Sequence, residues 1–132
     1  MSSWRNMKTL IICYSYHHNN TEKIASVFWK ILDAEIKTPP EFNLNTLPDY
    51  VLIGFGSGIY NGKHHKSILD FVDNLPHVNN EKAFIFSTSG KIGSIVSTYH
   101  QSLRERLLSR GFQIVGEFNC AGFDAYDVLN VD

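Results

Sequence analysis

Hydrophobic positions follow two rhythms along this chain. Thr9-Leu10-Ile11-Ile12-Cys13-Tyr14 is a continuous apolar run, the pattern of a strand buried on both faces. From Asn20 to Asp33, Ile24, Val27, Phe28, Ile31 and Leu32 recur at helical spacing, behind Asn and Thr residues suited to capping amides. A weaker strand at Ala34 to Lys37 ends before Pro39-Pro40, and Asp49 to Phe55 is a second apolar run. Lys63 to Leu75 sets Ile68, Phe71, Val72 and Leu75 on one helical face, and Pro76 stops it. Lys82 to Phe86 reads as a short strand. Val96 to Arg110 reads as a helix striped by Val96, Tyr99, Leu103 and Leu107, with Gly111 suited to a left-handed C-terminal cap. Phe112 to Phe118 is the last predicted strand.

Strands alternating with helices predict a doubly wound α/β fold, a parallel sheet covered on both faces by right-handed crossovers. In such sheets ligands bind beyond the carboxyl ends of the strands, at the topological switch point. Function is therefore expected in three loops: Ser15 to Thr21, Gly56 to His64, and Ser87 to Ser94.

Composition narrows the reading. At 132 residues the chain has room for a single domain, residues 1–132, and 43% hydrophobic against 19% charged residues excludes global disorder. A net charge of −1 supplies no field toward nucleic acid or anionic lipid, so neither is an expected partner. Two cysteines, Cys13 and Cys120, form no disulfide framework and no zinc spacing. No apolar stretch has the length of a secretory signal or a membrane span, so the expected location is the cytoplasm.

The first loop, Ser15-Tyr16-His17-His18-Asn19-Asn20-Thr21, opens directly into a helix. Amides at that helix N-terminus, with hydroxyls and imidazoles, can surround a phosphate without any Lys or Arg. The patterns GxxxxGK[ST] and GxGxxG are both absent from it, which argues against nucleotide triphosphates and dinucleotides bound in those ways. A simple capped connection explains this loop equally well. The second, Gly54-Phe55-Gly56-Ser57-Gly58-Ile59-Tyr60-Asn61-Gly62, combines three closely spaced glycines, whose backbone a ligand can approach closely, with a flat ring for a planar ligand. Alone, it reads more simply as Tyr60 covering a sheet edge before an Asn-Gly turn. The third, Ser87-Thr88-Ser89-Gly90, offers amides to a polar heterocycle edge.

Taken together, Tyr14 to Ala25, Gly54 to Tyr60 and Phe86 to Gly90 resemble, in order and over nearly the whole chain, the three flavin loops of the flavodoxins. That resemblance implies a five-stranded parallel sheet of order 2-1-3-4-5 and one FMN at the switch point. It implies that Ser15 to Thr21 hold the phosphate, that Ser57 to Gly62 flank the isoalloxazine with Tyr60 stacking, and that Ser87 to Gly90 meet the pyrimidine edge. Tyr16, His17, His18 and Asn19 stand where the commoner pattern has hydroxyl residues and a glycine, and Asn19 tolerates positive φ better than most residues. Many flavodoxins are strongly acidic, whereas this chain has Lys63, His64, Lys66 and Lys91 close to the expected flavin loops. Reduced flavin is an anion, so full reduction is expected to be easier here than in acidic relatives.

The histidine pairs His17-His18 and His64-His65 lack the spacing of a metal site. His100, on the third helix, is read as a structural or solvent-facing residue rather than a base. Cys13 reads as an inert buried thiol, and Cys120 has no identified base. The residues after Cys120 are too few for the last helix the resemblance implies, so a homodimer covering that sheet face is expected. The leading functional reading is an electron carrier between redox proteins: a reductase, ferredoxin-type proteins or flavin-dependent enzymes. The alternatives are an oxidoreductase acting on a quinone or porphyrinogen, and a binding module that has lost FMN.

Overall fold

The computed structural model describes residues 8–14, 30, 33–60, 62–89 and 96–121. Strand β1 (Lys8–Tyr14) lies between β2 (Ala34–Lys37) and β3 (Tyr50–Tyr60), and β3 continues through β5 (Lys82–Ser89) to β6 (Gln113–Ala121), all parallel. A two-residue strand, β4 (Lys63–His64), folds back antiparallel on the end of β3. With β4 set aside, the order β2-β1-β3-β5-β6 is the expected 2-1-3-4-5 arrangement. Two 3-10 turns, Pro39–Glu41 and Leu44–Asp49, and two helices, α1 (Lys66–Asp73) and α2 (Val96–Ser109), complete the described elements. Of the helix expected over Asn20 to Asp33, Lys30 is helical and Asp33 has φ 55°, and the rest lies outside the described residues. The segment after Ala121, on which the expectation of a missing last helix rests, also lies outside them.

Inward side chains stack in rows because parallel partners share a face. Leu10, Ile53, Ala83 and Ile114 form one row, and Ile12, Phe55, Ile85 and Glu117 form the next toward the carboxyl ends. Helix α1 buries Ile68, Leu69 and Val72 against these rows, and α2 buries Leu103 and Leu107. Phe55 sits at the centre, edge-on to Phe112 at 5.7 Å. On the opposite face Phe84 and Phe86 lie directly across from Gly54 and Gly56. A Cβ at Gly54 would come within 2.2 Å of the Phe84 ring and one at Gly56 within 2.3 Å of the Phe86 ring, so the rings occupy the space the glycines leave.

Two bulges break the ladders. The β1–β3 register skips Val51 and the β5–β6 register skips Val115, and both skipped valines are exposed. An extra residue turns its side chain out of the packed rows and increases the local twist.

The strands run further than the apolar runs suggest. β3 continues five residues past Phe55, and β5 three residues past Phe86. Much of the second and third expected loops is therefore strand. Helix α1 starts at Lys66 rather than Lys63 because Lys63 and His64 are taken up in β4. The His65 ring caps α1, its Nδ1 accepting from the Ser67 amide at 3.0 Å.

Gly111 ends α2 at φ +97°, its amide donating to the Leu108 carbonyl at 3.0 Å, and a Cβ there would collide with the Val78 carbonyl oxygen. Gly62 also has positive φ, but a Cβ there meets nothing within 4 Å. Gly111→Ala is therefore expected to cost about 3 kcal/mol, strain and collision together, and Gly62→Ala about 1 kcal/mol from strain alone. Urea unfolding midpoints of the two variants check this ranking.

Candidate functional site

A third row, polar throughout, crosses the sheet nearest the carboxyl ends: Tyr14 on β1, Ser57 on β3, Ser87 on β5 and Asn119 on β6. Parity sets it on the face of α1 and α2, directly above the Ile12–Phe55–Ile85–Glu117 row. Ser57 and Ser87 are fully buried, so their hydroxyls must find partners inside the protein. Ser57 Oγ accepts from the His65 amide at 2.9 Å and donates to the Gly58 carbonyl at 2.6 Å. Ser87 Oγ lies 2.7 Å from His100 Nε2 and accepts from Asn119 Nδ2 at 2.8 Å. Tyr14 is stacked on His65, ring centroids 3.8 Å apart, which ties the end of β1 to the start of α1.

Beneath Ser87 is a network that the linear sequence does not reveal. His100 is completely buried, and its Nδ1 lies 2.9 Å from Glu117 Oε1. Arg104, one helical turn further along α2, grips the same carboxylate with two hydrogen bonds of 2.7 Å, the paired geometry that gives guanidinium its specificity for carboxylates. His64 packs beside His100, ring centroids 5.0 Å apart, with its Nε2 2.9 Å from the Phe86 carbonyl. A carbonyl only accepts, so Nε2 carries the hydrogen. His64 Nδ1 is buried with no hydrogen-bond partner among the described residues. The adjacent histidines thus have different tasks: His64 bonds β5, and His65 caps α1.

Burial draws His64 down to about 3, against a smaller upward pull from its bond to the Phe86 carbonyl. Burial lowers His100 too, and the hydrogen bond and charge of Glu117 oppose it. Burial pushes the Glu117 carboxyl up, but hydrogen bonds from Arg104 and His100 more than offset this and hold it below the ordinary carboxylate range. The site is therefore a neutral histidine pair beside a compensated ion pair. Ser87, His100 and Glu117 form a hydroxyl–imidazole–carboxylate chain, yet Ser87 is 1% exposed and its oxygen is already shared with Asn119, which is not how an attacking nucleophile is presented. His100 faces the core rather than solvent, its two ring nitrogens beside Ser87 and Glu117.

Of the residues expected to bind a cofactor, Ser57, Gly58, Ile59 and the backbone of Tyr60 lie at the end of β3, with Gly62 just beyond, and Ser87, Thr88 and Ser89 lie at the end of β5. Gly58 and Thr88 are paired partners, so the second and third segments lie side by side. Ser15, Tyr16, His17, His18, Asn19, Asn20, Thr21, Asn61 and Gly90 lie outside the described residues. Tyr14, the last residue of β1, pairs with Ser57. The chain therefore enters its first expected loop beside the second, where β1 has β2 on one side and β3 on the other.

No known family model matches the chain. It is 47% identical over 125 residues to the uncharacterized protein MJ0298 of Methanocaldococcus jannaschii, covering 95% of this chain and 82% of that one. Among solved structures it is similar to oxidised Flavodoxin 2 from Bacillus cereus, with TM-score 0.72 and 26% identity over 92% of this chain and 90% of that chain. The chain belongs to the flavodoxin-like family. A two-electron reduced flavodoxin of Megasphaera elsdenii shares the fold at TM-score 0.69 and 19% identity, covering 86% of this chain and 87% of that one. This flavodoxin-like sheet has its switch point between β1 and β3. Among the described residues no helix is long and apolar enough to cross a membrane.

The histidine pair gives the flavodoxin-like core an acid-sensitive stability. An unfolded chain protonates His64 near pH 6.5, whereas the folded chain resists down to about pH 3, so between those values the unfolded state binds more protons and stability falls with pH. Acidification from pH 7 to pH 5 is expected to cost about 2 kcal/mol through His64, with His100 adding in the same direction. Urea titrations at several pH values check this, and His64→Gln, which retains an amide donor for the Phe86 carbonyl, is expected to flatten the profile.

Proposed function

We propose that this chain binds FMN at the carboxyl ends of β1, β3 and β5 and carries electrons between redox proteins. The observation that carries the reading is the pairing of Tyr14, Ser57 and Ser87 at the carboxyl ends of β1, β3 and β5, beside the switch point, in a chain similar to Flavodoxin 2 over 90% of that protein's length. In this reading Ser15, Tyr16, His17, His18, Asn19, Asn20 and Thr21 surround the phosphate with neutral donors and helix-terminal amides. Ser57 to Gly62 flank the ring with Tyr60 stacking on it, and Ser87 to Gly90 meet its pyrimidine edge.

The described residues fit such a group. Ser57 and Ser87 spend their hydroxyls inside the protein, so these positions offer the ligand rigid main chain rather than mobile side chains. Gly62 leaves open space on its side of the turn. The carboxylate nearest in the described network, Glu117, is compensated by Arg104, so no bare negative charge there opposes an anionic cofactor. When bound, FMN supplies one- and two-electron redox chemistry. The chain's own groups hold it, exclude water from one side, and set the local field.

Redox proteins such as a reductase, ferredoxin-type proteins or flavin-dependent enzymes are the partners in this reading, in the cytoplasm. Isothermal titration with FMN and with riboflavin tests it: one FMN per chain is expected, bound more tightly than riboflavin. Thr21→Ala, losing a hydrogen bond to a charged group, is expected to weaken FMN by roughly tenfold or more and to leave riboflavin unchanged. Failure of the unmodified protein to bind FMN overturns the reading.

A further inference from the structure

His100 lies between the compensated ion pair and the ligand end of the sheet, and each of its ring nitrogens has one assigned partner. Glu117 is an ionised carboxylate held by Arg104, so His100 Nδ1 carries the hydrogen and donates to Oε1. In the neutral ring Nε2 is then a bare acceptor, and Ser87 Oγ donates to it while accepting from Asn119 Nδ2. A proton added at Nε2 reverses that bond: Nε2 donates, and the Ser87 hydrogen must turn away from the ring. Ser87 stands in the strand-end row, paired with Ser57 on the neighbouring strand, so a charge change at one end of this chain of groups is felt at the other.

The groups facing His100 show why it, and not its neighbour, accepts the proton. From β6 Glu117 attracts a proton, and from α2 itself Arg104 repels one; from β4 His64 adds a neutral ring, and from β5 and β6 Ser87 and Asn119 are uncharged. The attraction of Glu117 exceeds the repulsion of Arg104, and burial outweighs both and keeps the ring neutral, so a further negative charge adds to an attraction already in place. His64 contacts no carboxylate among the described residues, and its second nitrogen has no acceptor there for a hydrogen, so a cation at His64 is doubly disfavoured.

We propose that His100 is a redox-linked proton acceptor: as a bound flavin gains net negative charge, one proton from solvent enters at His100 Nε2, held by Glu117 and signalled to the strand ends by Ser87. The electrons come from the external reductant and the proton from solvent, and no covalent bond to the protein forms or breaks other than N–H. His100 is a positioning residue for charge and acts on the cofactor through the field alone. The inference rests on the FMN reading.

Nitrogen-15 histidine NMR on the full FMN-loaded chain tests it directly, comparing the oxidised protein with the same sample reduced by dithionite. In the oxidised state His100 is expected to be a neutral ring hydrogenated at Nδ1, and the flavin-free chain is expected to show the same tautomer. On reduction its proton affinity is expected to rise roughly tenfold, the effect of one net charge acting through a partly buried path, while His64 stays neutral. Glu117→Gln keeps a hydrogen-bonding side chain and removes the charge, and it is expected to abolish protonation of His100 on reduction. An unchanged His100 titration in the two oxidation states, with FMN bound, overturns this inference and leaves the cofactor reading intact. Absence of FMN binding overturns both.

Discussion

The parallel register at the carboxyl ends of the strands is the constraint on which the rest of the structure depends. It brings Tyr14, Ser57, Ser87 and Asn119 into a single row on the helix-covered face, immediately above Ile12, Phe55, Ile85 and Glu117. Buried hydroxyls left without partners would each cost on the order of 1–3 kcal/mol. The structure answers with the His65 amide for Ser57 and with His100 and Asn119 for Ser87. Those partners constrain the helices in turn: His65 must sit at the start of α1, and His100 must face inward from α2. The helices are thereby docked by polar contacts at one end and by Ile68, Leu69, Val72, Leu103 and Leu107 along their length.

Placing a histidine in that position creates its own requirement. A buried imidazole needs a defined tautomer, and Glu117 supplies it through Nδ1. A carboxylate 22% exposed at the edge of the sheet in turn needs compensation, and Arg104 supplies it from one helical turn away. The chain of demands ends at solvent, which the Arg104 guanidinium partly reaches, its side chain being 25% exposed. Glu117 lies on the edge strand, where such an ending is available; on central β3 or β5 the same carboxylate would have no route to water.

Most of the architecture is legible in the hydrophobic pattern, and the misreadings have specific causes. β3 seems to end at Phe55 because Gly56 and Gly58 are poor strand formers, yet ladders on both sides hold them extended. β4 has two residues, too few for any periodicity, and it takes Lys63 and His64 from the start of the predicted helix. Glu117 is hidden by the bulge at Val115. Simple alternation puts it on the face opposite Ile114, but the extra residue resets the parity and turns Glu117 and Asn119 inward with Ile114. A chain of contacts whose members are 13 and 17 residues apart, one of them re-aimed by a bulge, leaves no local signature. The inward direction of Ser57 and Ser87 is present in the alternation with Phe55 and Ile85, and it is obscured because small polar residues also mark loops.

That same inward direction changes what recognition at the strand ends consists of. A hydroxyl committed to His100 or to the Gly58 carbonyl cannot also discriminate between ligands, so in the proposed reading side-chain specificity would fall to the loops and the strands would contribute backbone at fixed positions. A rigid rim of main-chain dipoles suits a cofactor whose shape is constant while its charge changes, because the contacts need no rearrangement and the adjustment is left to the field. Charges near that rim then have more influence than new contacts do. In a chain with net charge −1, a buried imidazole held between one carboxylate and one neighbouring guanidinium is a large fraction of the local electrostatics.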